Sequence, residues 1–150
     1  MKLTSNKEII RKVYEEALNK RKTELLRDFV SDDFVGIRGG KGAPAFAEPV
    51  AQLFKAFPDI QWRIEEMMEE EDKVFVRWFW HGTQSDQFAN FEATGNTVSI
   101  EGMAVYVLKD GKIINGRVLT DRLGFWQGLG VLPADIISAS GKANVTKVQE

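Results

Sequence analysis

From Ile9 to Leu18 the apolar residues Ile9, Ile10, Val13, Tyr14, Ala17 and Leu18 recur three and four apart, leaving Arg11, Lys12, Glu15, Glu16 and Lys20 for the opposite side. That is the period of an amphipathic helix. Ahead of it, Ser5-Asn6-Lys7-Glu8 has the form of a capping box, in which a hydroxyl and a carboxylate satisfy amides of the first turn reciprocally. Leu25, Leu26, Phe29 and Val30 predict a second, shorter helix. A third is predicted over Phe46 to Phe57, with Val50, Leu53, Phe54 and Phe57 as its buried stripe, Pro49 tolerable only in the first turn, and Pro58-Asp59 as its end. The glycine-rich run Gly36 to Gly42 reads as a loop; it carries none of the phosphate-cradling spacings and is taken as a rim.

Beyond Ile60 the period changes to two. Ile60, Trp62 and Ile64 alternate with Gln61, Arg63 and Glu65, as in a half-buried strand. Glu69 to Asp72 reads as a solvated hairpin turn rather than a metal site. Lys73 to Thr83 is the next strand, dense in Phe75, Trp78, Phe79 and Trp80; a loop through Ser85 to Gly95 follows. Val98 to Leu108 and Ile113 to Asp121 are two further strands about the turn residues Asp110-Gly111. Hairpin-linked strands imply an antiparallel sheet, and helices followed by strands argue α+β with the helices on one face.

Composition narrows the chemistry. Among 150 residues there is no cysteine, which removes disulfides, thiolate metal sites and cysteine nucleophiles, and a single histidine, His81. Twenty basic against 22 acidic residues give a net charge of -2, too balanced for a nucleic-acid-binding surface. Met1 to Lys12 has no signal-peptide pattern and no stretch approaches a membrane span, so a cytoplasmic protein without membrane partners is expected. Residues 1–133 are expected to form one domain, and 134–150, poor in large apolar residues, a loosely ordered tail.

Four stretches in order carry a resemblance: Ala56-Phe57-Pro58-Asp59; Val76-Arg77-Trp78 continuing to Gly82-Thr83; Thr94-Gly95; and Asp110-Gly111-Lys112-Ile113, running on into Asp121-Arg122-Leu123-Gly124-Phe125-Trp126-Gln127-Gly128-Leu129-Gly130. Over residues 6 to 132 the chain resembles the SnoaL-like polyketide and ester cyclases of the nuclear transport factor 2-like superfamily. The resemblance implies a cone of curved antiparallel sheet with about three N-terminal helices packed on it, an apolar pocket at the wide mouth, and a homodimer formed through the sheet. It also implies cofactor-free, metal-free ring closure on a hydrophobic carbonyl compound, with Asp121 as general acid/base. Such a base gains from apolar walls that strip its water. A non-catalytic binding module of the same fold, or a related isomerase or dehydratase, is the alternative.

The chain departs from that pattern where many relatives carry histidine, at Ile37, Gln84 and Gly116, where they carry a polar residue, at Ala104, and at Glu101, where arginine is common. Gln84 keeps an amide able to orient a carbonyl. Trp78, Trp80, Gln84 and Met103 are the expected pocket lining, with Tyr14, Phe54, Trp62 and Trp126 further along the wall. His81 falls on the other side of its strand from Trp78 and Trp80 and is expected on the sheet face. Read locally, Asp121 is also an ordinary cap for the turn starting at Arg122.

Overall fold

The computed structural model describes residues 4–133. The expected tail 134–150 lies outside them. Helix α1 (Asn6–Lys12) opens on the capping box: the Glu8 amide donates to Ser5 Oγ and the Ser5 amide to a Glu8 carboxylate oxygen, both at 3.2 Å. Where the periodicity predicts continued α-helix, residues Val13–Leu18 widen into π-helical turns, with the Asn19 amide donating to the Tyr14 carbonyl at 2.9 Å. The wider turn still buries Val13, Tyr14, Ala17 and Leu18.

The chain leaves that helix at Arg21, a non-glycine residue at φ 58°. Its guanidinium donates to the carbonyls of Leu18, Asn19, Pro58 and Ile60 at 2.7 to 3.3 Å and lies 4.3 Å from the centroid of the Phe54 ring. One side chain thus fastens the end of the first helix to the segment entering the sheet. A short 3-10 turn (Thr23–Leu25) and α2 (Leu26–Phe29) follow.

Helix α3 (Gly42–Ala56) begins four residues before the predicted start. The glycines concealed this, because Gly42, at φ 75°, closes a compact loop with its amide on the Phe34 carbonyl (2.8 Å) and at once enters the helix. Pro49 is consequently inside the helix and not in its first turn.

The sheet is a four-stranded antiparallel meander, β1 (Gln61–Glu70), β2 (Lys73–Thr83), β3 (Thr97–Lys109) and β4 (Lys112–Thr120), in sequential order. Asp110 and Gly111, both at positive φ, make the tight β3–β4 turn the sequence predicts. Register shifts between Ile64 and Glu66 and between Val107 and Leu108 interrupt the ladders, and bulges of this kind bend and twist a sheet into a cone. Along β2 the burial alternates strictly, putting Val74, Val76, Trp78 and Trp80 on the inner face against α1, and Phe75, Arg77, Phe79 and His81 on the outer face. Helix α4 (Arg122–Gly128) closes one end through Phe125 and Leu129. No helix among the described residues is long and apolar enough to cross a membrane.

Candidate functional site

The inner face holds two groups of rings. At the α4 end, Phe57, Trp80, Phe88, Phe125 and Trp126 are linked ring to ring at centroid distances of 4.9 to 6.5 Å, with Phe91 against Trp126 at 4.9 Å. Two expected pocket residues, Trp80 and Trp126, belong to this packed cluster beneath the loop before β3. Gln84 is in the same region and wholly buried. Its Oε1 accepts from the Thr94 amide (3.1 Å) and hydroxyl (2.8 Å), and its Nε2 donates to the Phe91 carbonyl at 3.4 Å. Its amide therefore holds the loop together, and the role of orienting a substrate carbonyl is not what its contacts serve.

The second group gathers Tyr14, Trp62, Trp78 and Tyr106, with Phe54 on Trp62 and Phe46 on Tyr106. This brings together four of the expected wall residues, Tyr14, Phe54, Trp62 and Trp78. The rings approach the sheet closely only because glycine faces them. A Cβ on Gly102 would stand 2.3 Å from Cη2 of Trp78, and one on Gly116 would stand 3.0 Å from Cδ1 and Cε1 of Tyr106. The Tyr106 ring therefore fills the room that a side chain at 116 would need.

At the heart of this group the Tyr14 and Tyr106 hydroxyls are 2.5 Å apart, and Trp78 Nε1 donates to the Tyr14 hydroxyl at 3.0 Å. Burial pushes the Tyr14 phenol up to about 12, with its two hydrogen bonds opposing. Burial and then the neighbouring Tyr14 push Tyr106 well above the ordinary tyrosine value. Both are neutral hydroxyls at physiological pH.

Phe46, Val50, Leu53 and Phe54 on α3 stay only part-buried, and Val118, which pairs with inward-facing Ala104, remains 50% exposed.

Asp121 stands just past the end of β4 and is exposed. Its amide donates to the Glu101 carbonyl at 2.9 Å, and its Oδ1 accepts from the Gly124 amide at 2.8 Å, capping α4. The local reading of this aspartate as a cap describes its contacts.

Met103 is a correction. It pairs with Arg77 and Leu119 on the outer face, is 42% exposed, and lies one residue out of phase with the inward pair Gly102 and Ala104. A side-chain period of two puts it opposite the ring it was expected to join Trp78 in lining. His81 lies on that outer face, as its alternation with Trp80 predicts.

The sequence reading missed Tyr106, which its parity with Gly102 and Ala104 places on the same face of the sheet as Trp78. Two surface depressions lie elsewhere: one of about 150 Å³ beside α3, between Arg38 and Glu48, and one of about 430 Å³ on the outer face around Met68, Phe75 and Val105. Among the described residues no three His, Asp or Glu side chains converge as metal ligands would.

Comparison with known proteins agrees with this fold. The family model described as SnoaL-like polyketide cyclase matches residues 8–129. Among solved structures, the putative polyketide cyclase of Acidithiobacillus ferrooxidans is 25% identical, with a TM-score of 0.74 over 86% of this chain and 97% of that one. TsrD of Streptomyces laurentii superposes with a TM-score of 0.78 at 17% identity, over 87% of this chain and all of that one (100%). A SnoaL-like polyketide cyclase of Agrobacterium tumefaciens gives 0.74 at 19% identity, over 85% and 99%. The last two likenesses speak to the fold alone. No curated protein matches the chain. With the family match spanning every helix and strand except the first two residues of α1, the chain belongs to the SnoaL-like polyketide cyclase family.

Proposed function

We propose that the protein binds a hydrophobic carbonyl compound in the cone and converts it by cofactor-free acid–base chemistry, such as intramolecular aldol ring closure of a polyketide-like ester, with Asp121 as general acid/base. The carboxylate takes a proton from carbon beside a carbonyl; the enolate carbon attacks a second carbonyl of the same molecule, forming the new carbon–carbon bond; the resulting alkoxide recovers the proton from Asp121. Atoms and charge balance with no co-reactant. The observation that supports the reading is the ring-bearing inner face, with part-buried apolar side chains of α3 and half-exposed Val118 of β4 beside it and the exposed Asp121 just past the end of β4. The cap occupies Oδ1 and leaves Oδ2 without a hydrogen bond among the described residues. A related isomerase or dehydratase would share the first proton transfer and differ in substrate.

A second reading, a binding module that kept the cone without the chemistry, is favoured by the exposure of Asp121 and by the engagement of Gln84 with its own loop. Replacing Asp121 by Asn and assaying polyketide-like esters separates them. Loss of turnover supports the acid/base role, and unchanged turnover removes Asp121 from the mechanism. A wild-type protein stabilised by compounds it never converts is the binding module.

The outer sheet face supports a second copy of the chain as partner. Met68, Met103, Val105 and Leu119 are 59%, 42%, 39% and 80% exposed there, around Arg77, which bridges Glu66 and Glu101 at 3.0 and 2.9 Å. Apolar surface with both signs of charge suits an isologous, self-complementary contact. Sedimentation of wild type and Leu119→Glu tests it: a dimer that dissociates in the variant is expected, and a wild-type monomer overturns it.

A further inference from the structure

We infer that Gly124 is a positioning residue for the Asp121 carboxylate: its amide ties one carboxylate oxygen, and the side chain it lacks leaves the space that the other occupies. The inference rests on Asp121 being the acid/base, as proposed above, and goes beyond it in naming what holds that group in place.

The packing around the carboxylate carries it. Gly124 is the third residue of α4, and its amide donates to Asp121 Oδ1 at 2.8 Å. A Cβ on Gly124 would stand 2.2 Å from Oδ2, 2.8 Å from Cγ and 3.1 Å from Oδ1 of Asp121, so the whole carboxylate lies against the bare Cα. The backbone does not ask for glycine here, because Gly124 is outside the left-handed region that favours it. Within a helix glycine is a poor former. What it supplies at this position is room for the carboxylate.

The backbone of Asp121 is fixed on both sides. Its amide donates to the Glu101 carbonyl at 2.9 Å and its carbonyl accepts from the Phe125 amide at 3.0 Å, which anchors the residue to β3 and to α4. The freedom that remains is in the side-chain torsions, and Gly124 constrains them. For an exposed carboxylate this matters, because proton transfer requires the reacting oxygen to be held against the proton it takes. In the proposed reaction Oδ2 takes the proton from carbon and later returns it to the alkoxide. Oδ1 keeps its hydrogen bond throughout, since it accepts as a carboxylate oxygen and equally as the carbonyl oxygen of the neutral acid. A methyl group at 124 would push Oδ2 outward by about 1 Å to an ordinary contact distance, and the carboxylate, as the free end of a side chain, would yield before the backbone.

The test measures Gly124→Ala and Asp121→Asn, singly and together, in the full chain, with kcat and KM on polyketide-like esters and thermal melts beside them. Gly124→Ala is expected to fold, because only a side-chain end has to move, and to lose about 10²-fold in kcat with KM within about twofold of wild type. In the Asp121→Asn background the same change is expected to leave the residual turnover within about twofold. An equal loss in both backgrounds means that the glycine acts through the fold and overturns the inference. Wild-type kcat in Gly124→Ala, with turnover lost in Asp121→Asn, overturns it and leaves Asp121 standing as the base. Unchanged turnover in Asp121→Asn overturns the acid/base reading and this inference together. Should Gly124→Ala fail to fold, or wild type convert none of the esters, the Gly124 amide proton resonance decides: a shift on acidification in wild type that is absent from Asp121→Asn supports the tie, and a resonance that behaves alike in the two overturns it.

Discussion

The carboxylate of Asp121 accepts a hydrogen bond from the backbone amide of Gly124 at 2.8 Å, and this one contact separates two roles of the same side chain. Asparagine caps a helix about as well as aspartate, whereas alanine costs about 1 kcal/mol. Asp121→Asn is therefore expected to melt within a degree or two of wild type, and Asp121→Ala several degrees lower. If Asp121 is the base, both lose about 10²- to 10⁴-fold in turnover. Thermal melts run beside ester-conversion assays check both parts.

Arg21 ties four carbonyls with one planar fork, which an ammonium cannot reproduce. Arg21→Lys is expected to lose about 2 kcal/mol of stability in urea unfolding with little change in m-value. A loss below a few tenths would mean that water replaces the fork freely.

Adding a methyl group at Gly102 drives it into Trp78, where the nearest ring atom is 2.3 Å from the new position. Gly102→Ala is expected to destabilise by about 1–3 kcal/mol. The loss should shrink in a Trp78→Phe background, because the smaller ring clears the methyl, and a double-mutant cycle by chemical denaturation measures the coupling.

Tyr14 and Tyr106 are the only two tyrosines of the chain, so its phenolate absorbance reports this pair alone. Little ionisation is expected on raising the pH through 10, with Tyr14 titrating at about 12. The unfolded chain loses those protons near 10, as free tyrosine does, while the native state retains them. Stability is accordingly full below about pH 10 and falls as the pH rises towards 12. Ionisation near 10 in the folded protein would contradict the burial.

Asp59 accepts from the Thr83 amide at 2.7 Å, and that bond, first among several causes, holds its carboxyl below the usual range. A depressed carboxyl stabilises the fold above its unfolded value and loses that contribution as the pH falls through the folded value. The side chain is largely exposed, so the effect is expected below about 1 kcal/mol. Asp59→Asn should melt lower than wild type at pH 7, with the gap closing towards pH 3.

Much of the fold was legible in the chain. The capping box, the strict alternation of β2 and the Asp110-Gly111 turn each act within a few residues, so local sequence carries them. The Phe57-Pro58-Asp59 stretch that helped mark the family also has a local explanation in hindsight: Pro58 offers its carbonyl to Arg21 and Asp59 its carboxylate to Thr83. The early start of α3 was hidden because Gly42 reads equally as loop or as the sharp entry to a helix.

The site was less legible, and the reason is geometric. Alternation separates Trp78 from Arg77 within β2, and Ala104 and Tyr106 from Met103 within β3, and this much the residues determined unaided; which side of β3 shares a face with Trp78 came from the register that pairs Trp78 with Gly102. Which of the inward rings would be packed solid, as Trp80 and Trp126 are, and which would meet through hydroxyls, as Tyr14 and Tyr106 do across 92 positions of chain, was decided by the curvature of the sheet and the widening of the first helix. Periodicity reports the direction in which a side chain leaves the backbone; the distance to what it meets depends on how separate segments close upon one another.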